Sequence, residues 1–152
     1  MKKTQTNQPF TLIIFGASGD LAKLKLFTAL YSLMEQKKLP EKFQIVGYAR
    51  TKKSNKEFQK EFEESIKAST KTDAKILKNL TDRVSYFAGQ YDNIEDFKKL
   101  REHISTFKID TKLAYFSVPP VVFKDILQNL GETQTSTNED LRLIIEKPFG
   151  QD

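Results

Sequence analysis

Five short apolar runs, separated by stretches of helical periodicity, are the feature of this chain that leaves the fewest folds open. The runs are Thr11 to Phe15, Phe43 to Ala49, Val84 to Ala88, Lys112 to Ser117 and Leu141 to Ile145. Between them apolar residues recur every three or four positions: Leu26, Leu30, Leu33 and Met34, then Phe58, Phe62 and Ile66, then Phe97, Leu100, Ile104 and Phe107. Parallel strands need crossover connections, and a helix between each pair of runs supplies one. The order β-α-β-α-β-α-β-α-β therefore predicts an α/β, doubly wound parallel sheet of about five strands. The first run is apolar nearly throughout, as a central strand covered on both faces must be.

Local signals place the boundaries. The first helix is expected from Leu21 to about Lys38, with Pro40 ending it. Ser54-Asn55-Lys56-Glu57 has the form of a capping box and opens the helix of Phe58, Phe62 and Ile66. A short helix around Ala74 to Leu80 lengthens this crossover and reads as a spacer. Pro119-Pro120 suits the first turn of a helix, where amides lack partners anyway, and Gly131 is expected to stop that helix. Glu132 to Asp140, polar and without period, reads as a surface loop. With 152 residues, 38% of them hydrophobic, one core of ordinary size is expected. Residues 1–10 form a tail and 11–152 a single domain.

Charge and composition narrow the function classes. The net charge of +5 comes from lysines scattered along the chain, and the one tight cluster is Arg50-Thr51-Lys52-Lys53. That pattern reads as a solvated basic surface, and a nucleic-acid binder ranks last among the readings. The absence of cysteine excludes disulfides and thiolate metal sites and fits a reducing compartment. The apolar run from Leu12 to Phe15 is too short for a signal-peptide core or a membrane span. A cytoplasmic protein without nucleic-acid or membrane partners, and without a metal, is expected.

The first run feeds Gly16-Ala17-Ser18-Gly19-Asp20-Leu21-Ala22-Lys23, and a helix leaves it. A glycine turn between a strand and a helix brings backbone amides, and the positive end of the helix macrodipole, close to a bulky anion. This is a Rossmann-like phosphate turn by context, although Ser18 and Leu21 break the usual G-x-G-x-x-G spacing. In an open parallel sheet ligands bind outside the carboxyl ends of the strands. Arg50, then Gly89, Gln90 and Tyr91, then Pro119-Pro120, then Lys147-Pro148 follow the second to fifth runs and share that edge with the turn.

Arg50 selects among dinucleotides. NAD-specific folds place a carboxylate after the second strand to bind the ribose 2′-hydroxyl, whereas Tyr48-Ala49-Arg50-Thr51 offers a guanidinium suited to a 2′-phosphate. NADP is the expected cofactor. Asp20, an acid beside the anion, is read as a cap on local amides. Lys147 precedes a proline that holds it extended, and its ammonium could orient a substrate hydroxyl or bind phosphate. The single histidine, His103, sits in the middle of a crossover, away from the strand ends, and reads as packed or solvent-facing. No nucleophile with its base, and no catalytic residue, is identified in the chain.

Four strings, Gly16 to Lys23, Ile45-Val46-Gly47-Tyr48-Ala49-Arg50, Ala88-Gly89-Gln90-Tyr91-Asp92 and Ile145-Glu146-Lys147-Pro148-Phe149-Gly150, together resemble the coenzyme domain of the glucose-6-phosphate dehydrogenase family. The resemblance implies oxidation of glucose 6-phosphate to 6-phosphogluconolactone with hydride transfer to NADP, in the pentose phosphate pathway. It assigns cofactor contacts to Gly16, Ala17, Ser18, Gly19, Asp20, Leu21, Ala22, Lys23, Arg50, Gln90 and Tyr91. Lys147 would touch both coenzyme and sugar phosphate, with Pro148 cis. Phe123 stands where many relatives carry tyrosine, so a contact through that hydroxyl is not expected. The family's enzymes are longer and homo-oligomeric, with the histidine base and most sugar-phosphate contacts in a second domain. The expectation is therefore a fragment or truncated chain that is inactive alone, binds NADP(H) weakly at best, and self-associates or is poorly soluble. The alternatives are a stand-alone NADPH-binding module without catalysis and a different oxidoreductase.

Overall fold

The computed structural model describes residues 8–20, 22–134 and 139–145. Five parallel strands form one sheet in the order β3-β2-β1-β4-β5: β1 (Phe10–Phe15), β2 (Phe43–Ala49), β3 (Val84–Ala88), β4 (Thr111–Phe116) and β5 (Asp140–Ile145). The register runs from Phe10 beside Phe43 to Phe15 beside Tyr48, and from Thr11 beside Lys112 to Phe15 beside Phe116. The chain moves outward from β1 to β3 and then returns to β4 on the other side of β1. Its switch point therefore lies between β1 and β4, the crevice where doubly wound sheets hold ligands.

Alternation along the strands fills both faces. Leu12, Ile14 and Ile45 join Phe27, Phe58, Phe62, Ile66 and Leu77 in the core under α1 (Phe27–Glu35), α2 (Asn55–Ser69) and α3 (Ala74–Thr81). Ile13, Phe15, Val46 and Tyr48 join Phe97, Leu100, Ile104, Ile126 and Leu130 under α4 (Ile94–Ser105) and α5 (Phe123–Glu132). A strand buried on both sides needs apolar residues at nearly every position, and β1 has them at all but Thr11. Among the described residues no helix is long and apolar enough to cross a membrane.

The predicted elements appear, with local corrections. The first helix opens with a π-helical turn (Ala22–Leu26) and ends at Glu35 rather than near Lys38. Its stop is not Pro40. Lys37 takes φ 60°, its amide donates to the Met34 carbonyl, and the Lys38 amide donates to Leu33 at 2.9 Å. That bond pair is a Schellman closure, with lysine in the left-handed position that usually goes to glycine. Gly131 does not stop α5 either, because the helix continues through Glu132. Its last carbonyls are met by Thr133, whose amide and hydroxyl both donate to the Asn129 carbonyl, at 3.1 and 2.7 Å. The capping box is present, Glu57 N–H to Ser54 Oγ at 3.1 Å and Ser54 N–H to Glu57 Oε1 at 2.7 Å. The α3 helix is more than a spacer: Leu77 and Leu80 complete the core, and the Asp73 amide at its cap donates to the Tyr31 hydroxyl at 2.7 Å.

The stretch read as a surface loop holds a buried ion cluster. The Arg101 side chain is 3% exposed and that of Glu139 1%, and Nη1 meets Oε1 at 2.6 Å. Arg101 also donates to Thr133 Oγ1 and the Leu130 carbonyl, and Lys112 Nζ stands 3.8 Å from the same carboxylate oxygen. This clamp ties α4, the end of α5 and the start of β5 together at the amino edge of the sheet, opposite the glycine turn. At its other end β5 exposes Leu143, Ile144 and Ile145.

Two outcomes are expected in urea titrations. Arg101→Met leaves Glu139 charged and buried with only Lys112, at 3.8 Å, to face it, and should cost about 3–5 kcal/mol, whereas Arg101→Met with Glu139→Met should recover much of that. A double variant as unstable as the single one contradicts the assignment. His103 lies half-buried between the rings of Phe87 and Phe107 with Ser85 Oγ at 3.2 Å from Nε2, and burial holds its pKa below the ordinary 6.5. The folded state then binds fewer protons than the unfolded state as pH falls through that value, so stability is full above it and declines below it. His103→Phe should flatten that decline between about pH 7 and 5.

Candidate functional site

The end of β1 is shaped by a residue that cannot carry a side chain. Gly16 takes φ 87°, and a Cβ there would overlap the Ser117 carbonyl and sit 2.7 Å from Val118 Cγ1. The Gly16 and Ala17 amides both donate to the Tyr48 carbonyl at 2.8 and 3.3 Å, and the Ser117 amide donates to Phe15 at 2.8 Å. The turn is thus stitched to the ends of β2 and β4. Gly19 closes it by donating to the Gly16 carbonyl at 3.0 Å, but a Cβ at Gly19 would meet nothing nearer than 3.4 Å. The two glycines therefore differ in role: packing of the backbone demands the first, and only the approach of a ligand could demand the second.

Among the described residues the amides of Ser18 and Asp20 have no acceptor, which leaves two donors at the rim of the crevice. Below them Ser117 Oγ is buried without a hydrogen-bond partner. Asp20 is exposed, and the Lys23 amide donates to the Gly19 carbonyl at 3.3 Å. Ala17 and Ala22 are buried and line the turn with backbone rather than with chemistry. Gly47 on β2 lets the turn sit low, since a Cβ there would stand 2.6 Å from Phe58 Cζ and 2.9 Å from Ala17 Cβ.

Arg50 follows β2 and is exposed, with its guanidinium 5.8 Å above the ring of Tyr91. Tyr91 is buried; burial pushes its phenol up, while Arg50 and the Gly16 amide pull it back. Its carbonyl accepts from Asn129 Nδ2 at 2.9 Å. Gln90 presents an exposed side chain, and its backbone is held by the Tyr48 hydroxyl at 2.6 Å and Asp96 Oδ2 at 2.9 Å. The glycine turn, Arg50, Gln90 and Tyr91 therefore converge on one edge, as a parallel sheet requires. Leu21, Lys147 and Pro148 lie outside the described residues. His103 is on the outer face of β3 beside Ser85, away from this edge.

Glu61 and Tyr86, which the sequence reading did not single out, engage Lys53 and Lys23 beside the same edge. Lys53, read as part of a solvated cluster, has a side chain only 10% exposed and meets Glu61 Oε1 at 2.8 Å. Lys23 Nζ lies 3.9 Å from the same oxygen, and the Lys23 carbonyl accepts from Ser65 Oγ at 3.1 Å. Tyr86 donates its hydroxyl to the Thr51 carbonyl and places its ring 5.5 Å from Lys53 Nζ, and burial first of all pushes its phenol up to about 12. The only signal in the sequence was the position of Lys53 directly before the capping box. Among the described residues no cluster of metal-ligating side chains occurs. The arrangement offers amides and a cation beside an aromatic ring, groups that can hold an anion.

A family model described as glucose-6-phosphate dehydrogenase, NAD binding domain, matches residues 13–152. The chain is 38% identical over 148 residues to glucose-6-phosphate 1-dehydrogenase of Cyberlindnera jadinii, covering 93% of this chain and 29% of the relative. It is 36% identical to the chloroplastic glucose-6-phosphate 1-dehydrogenase 1 of Arabidopsis thaliana, covering 98% of this chain and 27% of that one. A solved glucose-6-phosphate dehydrogenase in complex with its substrate glucose-6-phosphate superposes with a TM-score of 0.85 at 36% identity, over 99% of this chain and 33% of the other. The chain thus spans about a third or less of the length of these proteins.

The contrast between the two glycines can be measured. Gly16→Ala should cost about 2–4 kcal/mol, from left-handed strain plus overpacking, and Gly19→Ala less than about 0.5 kcal/mol. Equal losses in urea titrations would show that the turn is not anchored as described.

Proposed function

Because the chain belongs to the glucose-6-phosphate dehydrogenase family, which it matches through the coenzyme domain, we propose that residues 11–152 bind NADP for the oxidation of glucose 6-phosphate. The observation that carries this reading is the placement of Arg50 over Tyr91, beside the Gly16 turn, with no carboxylate at the end of β2. The unpartnered amides of Ser18 and Asp20 suit a pyrophosphate at the start of the π-helical turn, where the backbone dipoles favour negative charge. Buried Ser117 Oγ, lacking a partner, offers one more polar atom in the crevice. Arg50 holds the 2′-phosphate through charge-assisted hydrogen bonds, as a lone ammonium could not do in paired geometry. Gln90 and Tyr91 border the adenosine end. The family resemblance assigns contacts with coenzyme and sugar phosphate to Lys147 as well.

NADP, when bound, supplies the hydride acceptor. The residues of this chain bind and orient. Oxidation at C1 of the sugar also requires a group that accepts the hydroxyl proton within hydrogen-bond reach. His103 does not serve, since it packs between Phe87 and Phe107 on another part of the sheet. We assign the base to the portion of the enzyme that the relatives carry beyond the matched third, so these 152 residues alone are expected to show no turnover. The absence of cysteine supports a cytoplasmic setting.

Arg50→Glu is the direct test. Two charge-assisted bonds are replaced by repulsion, so NADP affinity should fall at least about tenfold while NAD affinity holds or rises. Fluorescence titration of both coenzymes against both proteins reads this out, and unchanged NADP affinity in the variant sinks the role of Arg50.

A further inference from the structure

The loop that carries Arg50 is held by a set of contacts, none of which points at the coenzyme edge. Lys53 leaves the loop sideways, lays its ammonium over the Tyr86 ring at 5.5 Å and ends on Glu61 of α2 at 2.8 Å. Tyr86 fastens the loop a second time through its hydroxyl on the Thr51 carbonyl. The Tyr86 amide donates to Asn55 Oδ1 at 2.8 Å, which binds β3 to the first residue of α2. Glu61 also faces Lys23, one turn into the helix that follows the glycine turn, at 3.9 Å. One carboxylate therefore links the loop after β2 to the helix after β1.

We infer that the Lys53–Glu61 pair, with Tyr86, is a positioning device that sets the preference for a 2′-phosphorylated dinucleotide by holding the backbone of Arg50 and Thr51 in place. The inference rests on the proposed NADP site and deepens it. A loop of four residues, three of them cationic, would otherwise splay under its own repulsion, and its arginine would have to be ordered at the moment of binding. The pair is mostly withdrawn from solvent on the lysine side, so it resists screening better than an exposed bridge. Lys53 and Glu61 are positioning residues, and Arg50 makes the contact.

The sign of one substitution separates this device from simple charge. Glu61→Gln removes a negative charge near the phosphate subsite. If only the summed potential mattered, an anion would bind more tightly to the variant; if the clamp matters, it binds more weakly. The probes are 2′,5′-ADP and 5′-ADP, titrated calorimetrically against the 152-residue chain. Glu61→Gln, Lys53→Met and Tyr86→Phe are each expected to weaken 2′,5′-ADP about three- to tenfold and to change 5′-ADP less than twofold, corresponding to a selective loss of roughly 0.6–1.4 kcal/mol. Lys53→Arg should restore the preference. Tighter 2′,5′-ADP binding by Glu61→Gln, or equal losses for both probes, overturns the device while leaving the NADP site standing. A wild-type chain that does not prefer 2′,5′-ADP overturns the NADP reading and the device together. Tyr86→Phe keeps the ring under Lys53, so it reports on the Thr51 bond even if another variant folds poorly.

Discussion

The architecture turns on the missing side chain at Gly16. Three strands end around that residue: its amide is bound by the last turn of β2 through Tyr48, its carbonyl accepts from Gly19, and its α-carbon faces the Ser117 carbonyl at the end of β4. A left-handed backbone at this spot lets β1 stop flush between its neighbours and sends the chain over the sheet edge. Any β-carbon would push β4 away from β1 at the switch point. The crevice of a doubly wound sheet is formed there, so the same constraint that closes the fold also opens the site.

Aromatic packing carries that geometry into the core. Phe15 contacts Tyr48, Phe97 and Phe116, and Tyr48 in turn stands beside Phe87, Tyr91 and Phe97. Tyr48 is fully buried yet keeps its hydroxyl bonded to the Gln90 carbonyl, and burial raises its pKa well above the ordinary value. A large apolar ring with one satisfied polar end fixes the loop after β3 without leaving an unpaired buried group. Tyr91 beneath Arg50 is therefore the outermost member of a packed series that begins in the central strand. The recognition surface is supported by rigid elements, which limits the cost of ordering it on binding.

The two edges of the sheet use charge differently. At the amino edge Arg101 and Glu139 are sealed from water, and Arg101 is shared among Glu139 Oε1, Thr133 Oγ1 and the Leu130 carbonyl, so it specifies how α4, α5 and β5 meet. At the carboxyl edge Arg50 is exposed, whereas its neighbour Lys53 is tied down and engaged in holding the loop. Equal residue types thus serve opposite ends by burial alone.

Local pattern was enough to read the strands, the capping box and the glycine turn, because each is written in neighbouring residues: period, a Ser-x-x-Glu spacing, or a run that ends in glycine. The clustering of Gly16, Arg50, Gln90 and Tyr91 on one edge was also legible, since parallel strands bring every strand end to the same side. Helix ends were read less well. Pro40 and Gly131 looked like stops, but Lys37 in a left-handed turn and Thr133 with its hydroxyl satisfied the last carbonyls first. What the sequence by itself determined was the fold class, the edge on which the glycine turn and Arg50 meet, and the identity of the cation offered there. Tertiary structure alone decided that Gly16 is demanded by β4, that Lys53 belongs to Glu61, and that Arg101 is buried against Glu139. Those pairings join residues far apart in the chain, and a charge reveals its partner only when packing has removed the water between them.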